Sequence, residues 1–154
     1  MRPLRTEDLN MILQNNPVTF GNYLGAYPAC IFPKTNKKRY SWISNTHHHG
    51  KSGKHWVCWC IDGEKAIFFD SYGRQADDPT LPTYFKNHAK NFKKIYFSKR
   101  RVQGWDSIAC GYFCIHFIYN FALGLDYKCF VEDYSRSDFV KNDETVYNFV
   151  TSLL

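Results

Sequence analysis

The sequence predicts an α+β fold in which helices flank a mixed β-sheet. Strand-like and helix-like segments follow one another without a regular β-α-β alternation, which argues against a doubly wound parallel sheet. The 154 residues are 44% hydrophobic, enough to bury one core, so we predict a single domain over residues 1–154. An aromatic content of 18% excludes a disordered or low-complexity chain.

Charge, hydropathy and cysteine content narrow the class of protein further. The 20 Lys and Arg against 14 Asp and Glu give a net charge of +6, which suits an acidic partner such as nucleic acid. The most apolar stretch, residues 110–125, is interrupted by His116 and Asn120, so no membrane span is predicted. Glu7 and Asp8 precede any apolar run, so we expect no secretory signal. Six cysteines in a core-rich chain indicate reduced, intracellular thiols.

The first helix is predicted at residues 6–14. Thr6 offers an N-cap side chain, and Leu9, Ile12 and Leu13 fall on one helical face. An Asn-Asn-Pro sequence then ends the helix. Two strands are predicted at residues 27–32 and 40–45. A basic turn at residues 34–39 is expected to connect them.

A β-hairpin is predicted over residues 55–70. The nearly unbroken apolar run at residues 55–61 is typical of a strand buried on both faces, and residues 65–70 form the returning strand. Asp62-Gly63 is the predicted turn. Counting outward from this turn places His55 directly opposite Asp70, where side chains point to the same face with Cα atoms about 5 Å apart. Local pairing alone is therefore expected to bring these two residues together.

The C-terminal half is predicted to hold three helices and one strand. The helix at residues 110–123 is the most apolar and ends near Gly124. A short helix is predicted at residues 81–91 and a strand at residues 94–98. An amphipathic helix over residues 138–154 closes the chain. Its expected buried stripe is Phe139, Val146, Phe149, Val150 and Leu153.

Cys110 has the position that a nucleophilic cysteine needs. It opens the apolar helix after a polar loop, where unpaired backbone N–H groups and the positive end of the helix dipole favour a thiolate. The same N–H groups can hold the oxyanion that forms when sulfur attacks a carbonyl. A thiolate nucleophile also needs a proton partner and an acceptor that orients it, and His55 with Asp70 supplies both.

Four segments carry a resemblance to a known family. They are His55-Trp56, the run from Phe69 to Gly73, Val102-Gln103-Gly104, and Ser107-x-x-Cys110-Gly111-x-Phe113-Cys114. Their order, with the glutamine seven positions before the cysteine, resembles the adenovirus endopeptidase (adenain) family, in the clan that includes the SUMO-specific proteases. The resemblance covers residues 22–121, and an aspartate stands where adenain has glutamate.

The resemblance implies a cysteine endopeptidase fold and mechanism, with the nucleophile at the start of a central helix. Family members cleave precursor proteins after small residues in Gly-rich motifs and act in the host nucleus and the virion. By this resemblance Cys110 would be the nucleophile and His55 the general base and acid. Asp70 would orient His55, and the side-chain amide of Gln103 would donate to the oxyanion. Support for the imidazole and the oxyanion site would come from Trp56 and Gly111.

The resemblance also implies partners. Family members are stimulated by DNA and by a peptide held through a disulfide, but residues 92–102 contain no cysteine, so that link is not expected here. We expect a monomer with no metal, no small-molecule cofactor and no membrane contact. The densest basic stretch is either a DNA-binding surface or an ordinary solvated face. It consists of Lys86, Lys90, Lys93, Lys94, Lys99, Arg100 and Arg101.

Other functions stay open from the sequence. The same triad serves isopeptidases that remove a ubiquitin-like modifier, and acetyltransferases. A non-enzymatic nucleic-acid-binding protein with an inert Cys110 is the alternative from another class. Cys58 and Cys60 are interpreted as packing residues. The alternative, a zinc site that they would form with the histidines at residues 47–49, is only weakly supported. Cys114 is interpreted as a core residue, and His116 as a core or partly exposed histidine rather than a second base.

Overall fold

The computed structural model describes residues 1–46 and 55–154 of the chain, and its centre is a mixed five-stranded sheet. The strands are β1 (Tyr23–Tyr27), β2 (Arg39–Asn45), β3 (Trp56–Asp62), β4 (Lys65–Phe69) and β5 (Lys94–Phe97). Their order in the sheet is the chain order. The three inner strands are antiparallel neighbours, whereas β1 runs parallel to β2 and β5 runs parallel to β4.

Five helices cover the sheet. They are α1 (Thr6–Asn15), α2 (Thr83–Ala89), α3 (Cys110–Ala122), α4 (Tyr127–Glu132) and α5 (Phe139–Ser152). Apolar residues of α1, α3, α4 and α5 form one core cluster with one face of the sheet, and α2 packs on the other face. The predicted α+β fold is therefore confirmed. Among the described residues, no helix combines the length and apolar character needed to cross a bilayer.

Strand β3 contributes to both core clusters. Cys58 and Cys60 point to the cluster that contains α3, while Val57, Trp59 and Ile61 point to the cluster that contains α2. All five side chains are fully buried. The apolar run that predicted a strand buried on both faces is thus explained by helices on either side of the sheet.

The β3–β4 hairpin is paired two residues away from the predicted register. Asp62 pairs with Lys65, so the turn consists of Gly63 and Glu64 rather than Asp62 and Gly63. Gly63 has φ 62°, and a glycine at the first turn position is typical of a type II′ turn. Because the shift is an even number of residues, every side chain keeps the face that the sequence predicted.

The first strand lies earlier in the chain than predicted. β1 ends at Tyr27, and residues 28–38 contain no strand. Pro28 and Pro33 lack the N–H group that a sheet ladder requires, which explains why this segment is irregular. Because β1 and β2 are parallel, residues 34–38 of the predicted turn belong to a crossover connection and not to a hairpin turn, and Arg39 already begins β2.

The cap of α1 and the presence of α4 differ from the sequence prediction. Helix α1 is capped at Arg5, whose backbone N–H donates to Asp8 Oδ2 at 2.8 Å, so Thr6 is already helical. Helix α4 was not predicted, since it has only six residues. Its N-cap is Asp126, whose side chain accepts a hydrogen bond from the backbone N–H of Lys128 at 3.0 Å. That cap is the signal that sequence reasoning overlooked.

Helix α5 buries a narrower stripe than predicted. Val146 and Val150 are buried, and Phe149 and Leu153 are partly buried against the core. Phe139 is only half-buried, at the start of the helix. The buried stripe also includes a polar residue, Asn142, whose amide donates to a backbone carbonyl of the loop that precedes α3.

Candidate active site

His55 and Asp70 lie in contact at the open end of the β3–β4 hairpin. His55 precedes β3, Asp70 follows β4, and His55 Nε2 is 2.7 Å from Asp70 Oδ1. The paired register ends at Cys58 and Phe69, and the chain turns directly after Asp70, so His55 and Asp70 meet just beyond the end of the ladder. The side chains still meet, because both point to the same face. The predicted contact is confirmed, although the predicted register is wrong.

The environment of this pair favours its charged state. Both residues are buried, and burial by itself lowers the pKa of His55. Interactions with Asp70 and Cys110 outweigh burial and raise that pKa to about 9. Burial raises the pKa of the Asp70 carboxyl, but His55 and Arg74 hold it below its usual value. The contacts within the pair therefore favour an imidazolium beside a carboxylate.

Cys110 occupies the first position of α3 and faces the imidazole. Its Sγ accepts a hydrogen bond from the backbone N–H of Trp56 at 3.4 Å, and the thiol lies close enough to the His55 side chain to raise the pKa of the imidazole. Asp70 holds Nε2 of the ring, which leaves Nδ1 for the sulfur. The N-cap residue, Ala109, makes no side-chain cap, so the positive end of the helix is open toward the site.

Gln103 is buried in the loop that leads to Cys110, with its side-chain amide fully engaged. Its Oε1 accepts a hydrogen bond from Ser71 Oγ at 2.5 Å. Its Nε2 donates to the backbone oxygen of Ser107 at 3.0 Å and to Ser107 Oγ at 3.2 Å. To serve an oxyanion, the amide must exchange a contact with Ser107, so its role as oxyanion donor stays a prediction.

Trp56 and Gly111 support the start of α3 in different ways. The backbone of Trp56 reaches Cys110, while its indole Nε1 donates to the backbone oxygen of Leu4 at 2.9 Å. Gly111 packs so closely on Leu4 that an added Cβ would lie 3.1 Å from the Leu4 Cβ. The two residues thereby fix the N-terminal segment against the nucleophile's helix.

Two residues of the site were not predicted from the sequence. Arg74 Nε donates to Asp70 Oδ2 at 2.5 Å, and the backbone N–H of Tyr72 donates to Asp70 Oδ1 at 3.0 Å. The ring of Tyr72 also stacks on the imidazole of His55. Gly73 has φ 80° and makes the turn that brings Arg74 back to Asp70. An arginine four positions after the acid, across a glycine turn, was the available signal.

The predicted basic residues divide into two groups. All five lysines are exposed: Lys86, Lys90, Lys93, Lys94 and Lys99. Lys93 lies 3.1 Å from Glu64 in a solvent-exposed ion pair. A polyanion contact by these lysines stays a prediction.

The two arginines of the basic stretch have structural contacts. Arg100 donates through Nη1 to the backbone oxygen of Val131 at 3.0 Å and through Nη2 to that of Tyr134. Arg101 lies over the ring of Trp105, 4.4 Å from its centroid. These contacts hold α4 and the loop before α3, which leaves the arginines less available to a phosphate than the lysines.

The remaining candidate ligands lie in the core. Cys58, Cys60 and Cys114 are buried between β3 and α3. Within residues 1–46 and 55–154, no group of three or more His, Cys, Asp or Glu is placed to hold a metal, and residues 47–49 of the considered zinc site lie outside that part. Burial lowers the pKa of His116 to about 4, and its Nδ1 lies 2.5 Å from the hydroxyl of Tyr134. It is a partly buried histidine whose environment favours the neutral form.

Solved structures with the same fold come from a viral protease. One crystal structure of the ASFV pS273R protease matches 99% of this chain and 70% of that chain, with a TM-score of 0.60 and 15% identity. A selenomethionine form of the same protease matches 79% of this chain and 46% of that chain, with a TM-score of 0.54 and 20% identity. The chain shares the fold of this protease.

The comparisons extend to the fold and no further. No protein-family model matches the sequence, and no curated protein does. The chain spans only 46% and 70% of the two matched structures. Neither matched structure is an adenovirus endopeptidase, so the narrower resemblance to that family stays a prediction.

Proposed function

We propose that the protein is a viral-type cysteine endopeptidase with Cys110 as its nucleophile. The observation that carries this proposal is one arrangement of three side chains. His55 Nε2 lies 2.7 Å from Asp70 Oδ1, and the thiol of Cys110 at the start of α3 is close enough to the same ring to raise its pKa. A cysteine, a histidine and an orienting carboxylate are the components of nucleophilic acyl transfer. The fold shared with a viral protease supports the same conclusion.

The proposed reaction starts from a thiolate of Cys110 and an imidazolium of His55. Sulfur attacks the scissile carbonyl carbon, a C–S bond forms, and the carbonyl electron pair moves onto oxygen. As the C–N bond breaks, Nδ1 of His55 gives its proton to the leaving amine, and a thioester remains. The neutral imidazole then takes a proton from water, which attacks the thioester and releases the product acid and the thiolate.

The oxyanion needs donors at the start of α3. The backbone N–H of Cys110 is one proposed donor, because the first-turn N–H groups of a helix lack intrahelical partners. The amide of Gln103 is the second, and it must exchange a contact with Ser107 for the oxyanion. Substrate binding would therefore include a small adjustment of the loop between Gln103 and Cys110.

The burial of the nucleophile favours a slender substrate. Cys110 is only 7% exposed, so a scissile residue with a small side chain can approach it more closely than a bulky one. This supports cleavage of precursor proteins at Gly-containing sites, which the resemblance to adenain-like enzymes implies. A monomer acting in the host nucleus and the virion belongs to the same proposal.

A polyanion cofactor is part of the proposal. The exposed lysines Lys94 and Lys99 lie on β5 and just beyond it, and Lys65 and Lys128 line grooves on the same side of the sheet. Such lysines suit sequence-independent contacts with phosphates, including those of DNA. The proposal also includes an activating peptide. It would bind without the disulfide that the adenain family uses.

An isopeptidase is the second candidate function. A modifier tail that ends in two glycines is as slender as a Gly-containing cleavage site, so the buried Cys110 favours both equally. The two functions differ in the bond that is cut. Peptides with an internal Gly-containing site test the first, and a modifier joined to a lysine side chain tests the second.

The proposed function is tested with variants of two cysteines. The purified chain is incubated with a library of Gly-containing peptides, with and without DNA, and products are identified by mass spectrometry. Wild type should cleave, and Cys110→Ala should abolish cleavage while the circular dichroism spectrum stays unchanged. Cys129→Ala, at an exposed thiol, is the matched control and should cleave as wild type does. Cleavage that survives in Cys110→Ala would refute the assignment.

A further inference from the structure

We infer that Arg74 is a positioning residue that holds Asp70 in the orientation that His55 requires. The inference rests on the proposed function, because it gives Arg74 a part in the same site. Each oxygen of the Asp70 carboxylate has a different partner. Oδ1 lies 2.7 Å from His55 Nε2, whereas Oδ2 accepts the hydrogen bond of Arg74 Nε at 2.5 Å.

The burial of Asp70 makes the second contact necessary. The carboxylate side chain is fully buried, and a buried charged oxygen without a partner is strongly unfavourable. The Arg74 side chain is itself 24% exposed, so this ion pair is less screened than a surface pair. Without the nitrogen of Arg74, Oδ2 loses its partner, and besides His55 only the backbone N–H of Tyr72 at Oδ1 still restrains the rotation of the carboxylate.

Arg74 is fixed at both ends. At its distal end, Nη1 donates to Thr80 Oγ1 at 3.2 Å. At its backbone end, Gly73 adopts φ 80°, and a Cβ there would lie 2.6 Å from the backbone oxygen of Lys99. The turn is closed by a hydrogen bond of 2.7 Å from the backbone N–H of Gly73 to the backbone oxygen of Asp70. The segment therefore returns the arginine to the acid in one geometry.

The charges around the pair define the expected effect. His55 faces Asp70 and Cys110, and the ring of Tyr72 stacks on it. The carboxylate of Asp78, in the same loop, interacts electrostatically with Arg74. The carboxylate of Asp143, on α5, interacts electrostatically with Tyr72. Loss of Arg74 weakens the hold of the Asp70 carboxylate on the imidazolium. We therefore expect the pKa of His55 to fall toward its ordinary value.

The test compares three substitutions. Arg74→Met keeps the side chain as far as the position of Nε and removes the donor, and it should lower kcat about ten- to a hundredfold, as expected for a lost hydrogen bond to a charged group. KM should change less than about threefold, because Arg74 does not touch substrate. Arg74→Gln places a nitrogen the same number of bonds from the backbone as Arg Nε, and should recover most of the loss. Arg136→Met, at an exposed arginine paired with Glu132, is the matched control.

A second readout separates this inference from the proposed function. The ring signals of His55 are titrated by NMR in wild type, Arg74→Met and Arg74→Gln, without any substrate. A lower pKa of His55 in Arg74→Met, restored in Arg74→Gln, supports the positioning role even if no protease activity is found. An unchanged titration in Arg74→Met overturns the inference, and so does an Arg74→Gln variant that behaves as Arg74→Met does.

One further variant covers the case in which Arg74→Met does not fold. Thr80→Val, at an exposed position, removes the acceptor at the distal end of Arg74 and leaves Asp70 paired. It should lower kcat about two- to tenfold and shift the His55 titration in the same direction. Wild-type values for both measurements would overturn the inference.

Discussion

The imidazole of His55 lies parallel to the ring of Tyr72, with the ring centroids 4.5 Å apart and the planes 15° apart. Tyr72 in turn contacts Trp105, 4.8 Å away on the loop before α3. Trp105 is 67% exposed, so this contact forms a wall of the site that faces solvent. Asp70 thus holds the edge of the imidazole and Tyr72 holds its face. A π face beside an imidazolium also stabilises its charge.

Removing the stacked ring should slow turnover. Tyr72→Leu loses an aromatic contact worth about 0.5–1.5 kcal/mol, so kcat should fall about two- to tenfold. Tyr72→Phe keeps the ring and should lose less activity than Tyr72→Leu. Steady-state kinetics on one peptide substrate measures both. Equal losses in the two variants would mean that the hydroxyl, and not the stacking, is what matters.

Asp70→Asn should reduce cleavage by up to about 10⁴-fold, the loss known when the orienting aspartate of a catalytic triad becomes asparagine. Because Arg74 holds one oxygen of the side chain, the new amide nitrogen would face His55 Nε2. The imidazole would then carry its proton on Nδ1 and could not accept the proton of the Cys110 thiol. Single-turnover kinetics measures the loss, and alkylation of Cys110 checks that the thiol is still accessible. Wild-type turnover in this variant would contradict the role given to Asp70.

Gln103→Glu separates binding of the oxyanion from reactivity of the thiol. The substitution keeps an acceptor for Ser71 and removes both amide hydrogens, so kcat should fall about 10²–10³-fold. Alkylation of Cys110 by iodoacetamide forms no oxyanion and should stay near the wild-type rate. A kcat within a factor of about two of wild type would remove Gln103 from the oxyanion site. A parallel loss of alkylation would point to a disturbed loop instead.

The charged pair should also appear in the pH dependence of stability. The pKa of His55 is raised to about 9, so its contribution is complete below about pH 6.5 and is lost as pH rises through 9. The pKa of Asp70 is lowered, so its contribution is present above about pH 4 and is lost as pH falls through the folded value. The difference in Tm between wild type and His55→Gln should be largest between about pH 4 and 6.5. A difference that grows toward pH 9 would contradict this sign.

The sequence was sufficient for the chemistry of the hairpin but not for its register. Gly63 can occupy either position of a two-residue turn, and the choice depends on backbone geometry that the residue types do not fix. The contact between His55 and Asp70 survived the error because a two-residue shift preserves side-chain faces. A shift of one residue would have separated the two side chains.

Features that depend on distant pairing could not be predicted. The parallel pairing of β1 with β2 is not signalled by either strand alone, and the two prolines after Tyr27 gave the better local evidence. The contact of Arg74 with Asp70 is close in sequence, but it depends on the positive φ of Gly73. The contacts of Gln103 with Ser107 likewise follow from the path of a loop and not from a repeating pattern.

The pH dependence of alkylation at Cys110 tests the central claim most directly. Wild type and His55→Ala are treated with iodoacetamide over a range of pH values. Peptide mapping then measures the alkylation rate of Cys110 and, as an internal reference, that of the exposed Cys129. A thiolate–imidazolium pair predicts that Cys110 reacts well below pH 7 in wild type and loses this reactivity in His55→Ala. Reactivity of Cys110 that follows Cys129 at every pH in both proteins would contradict it.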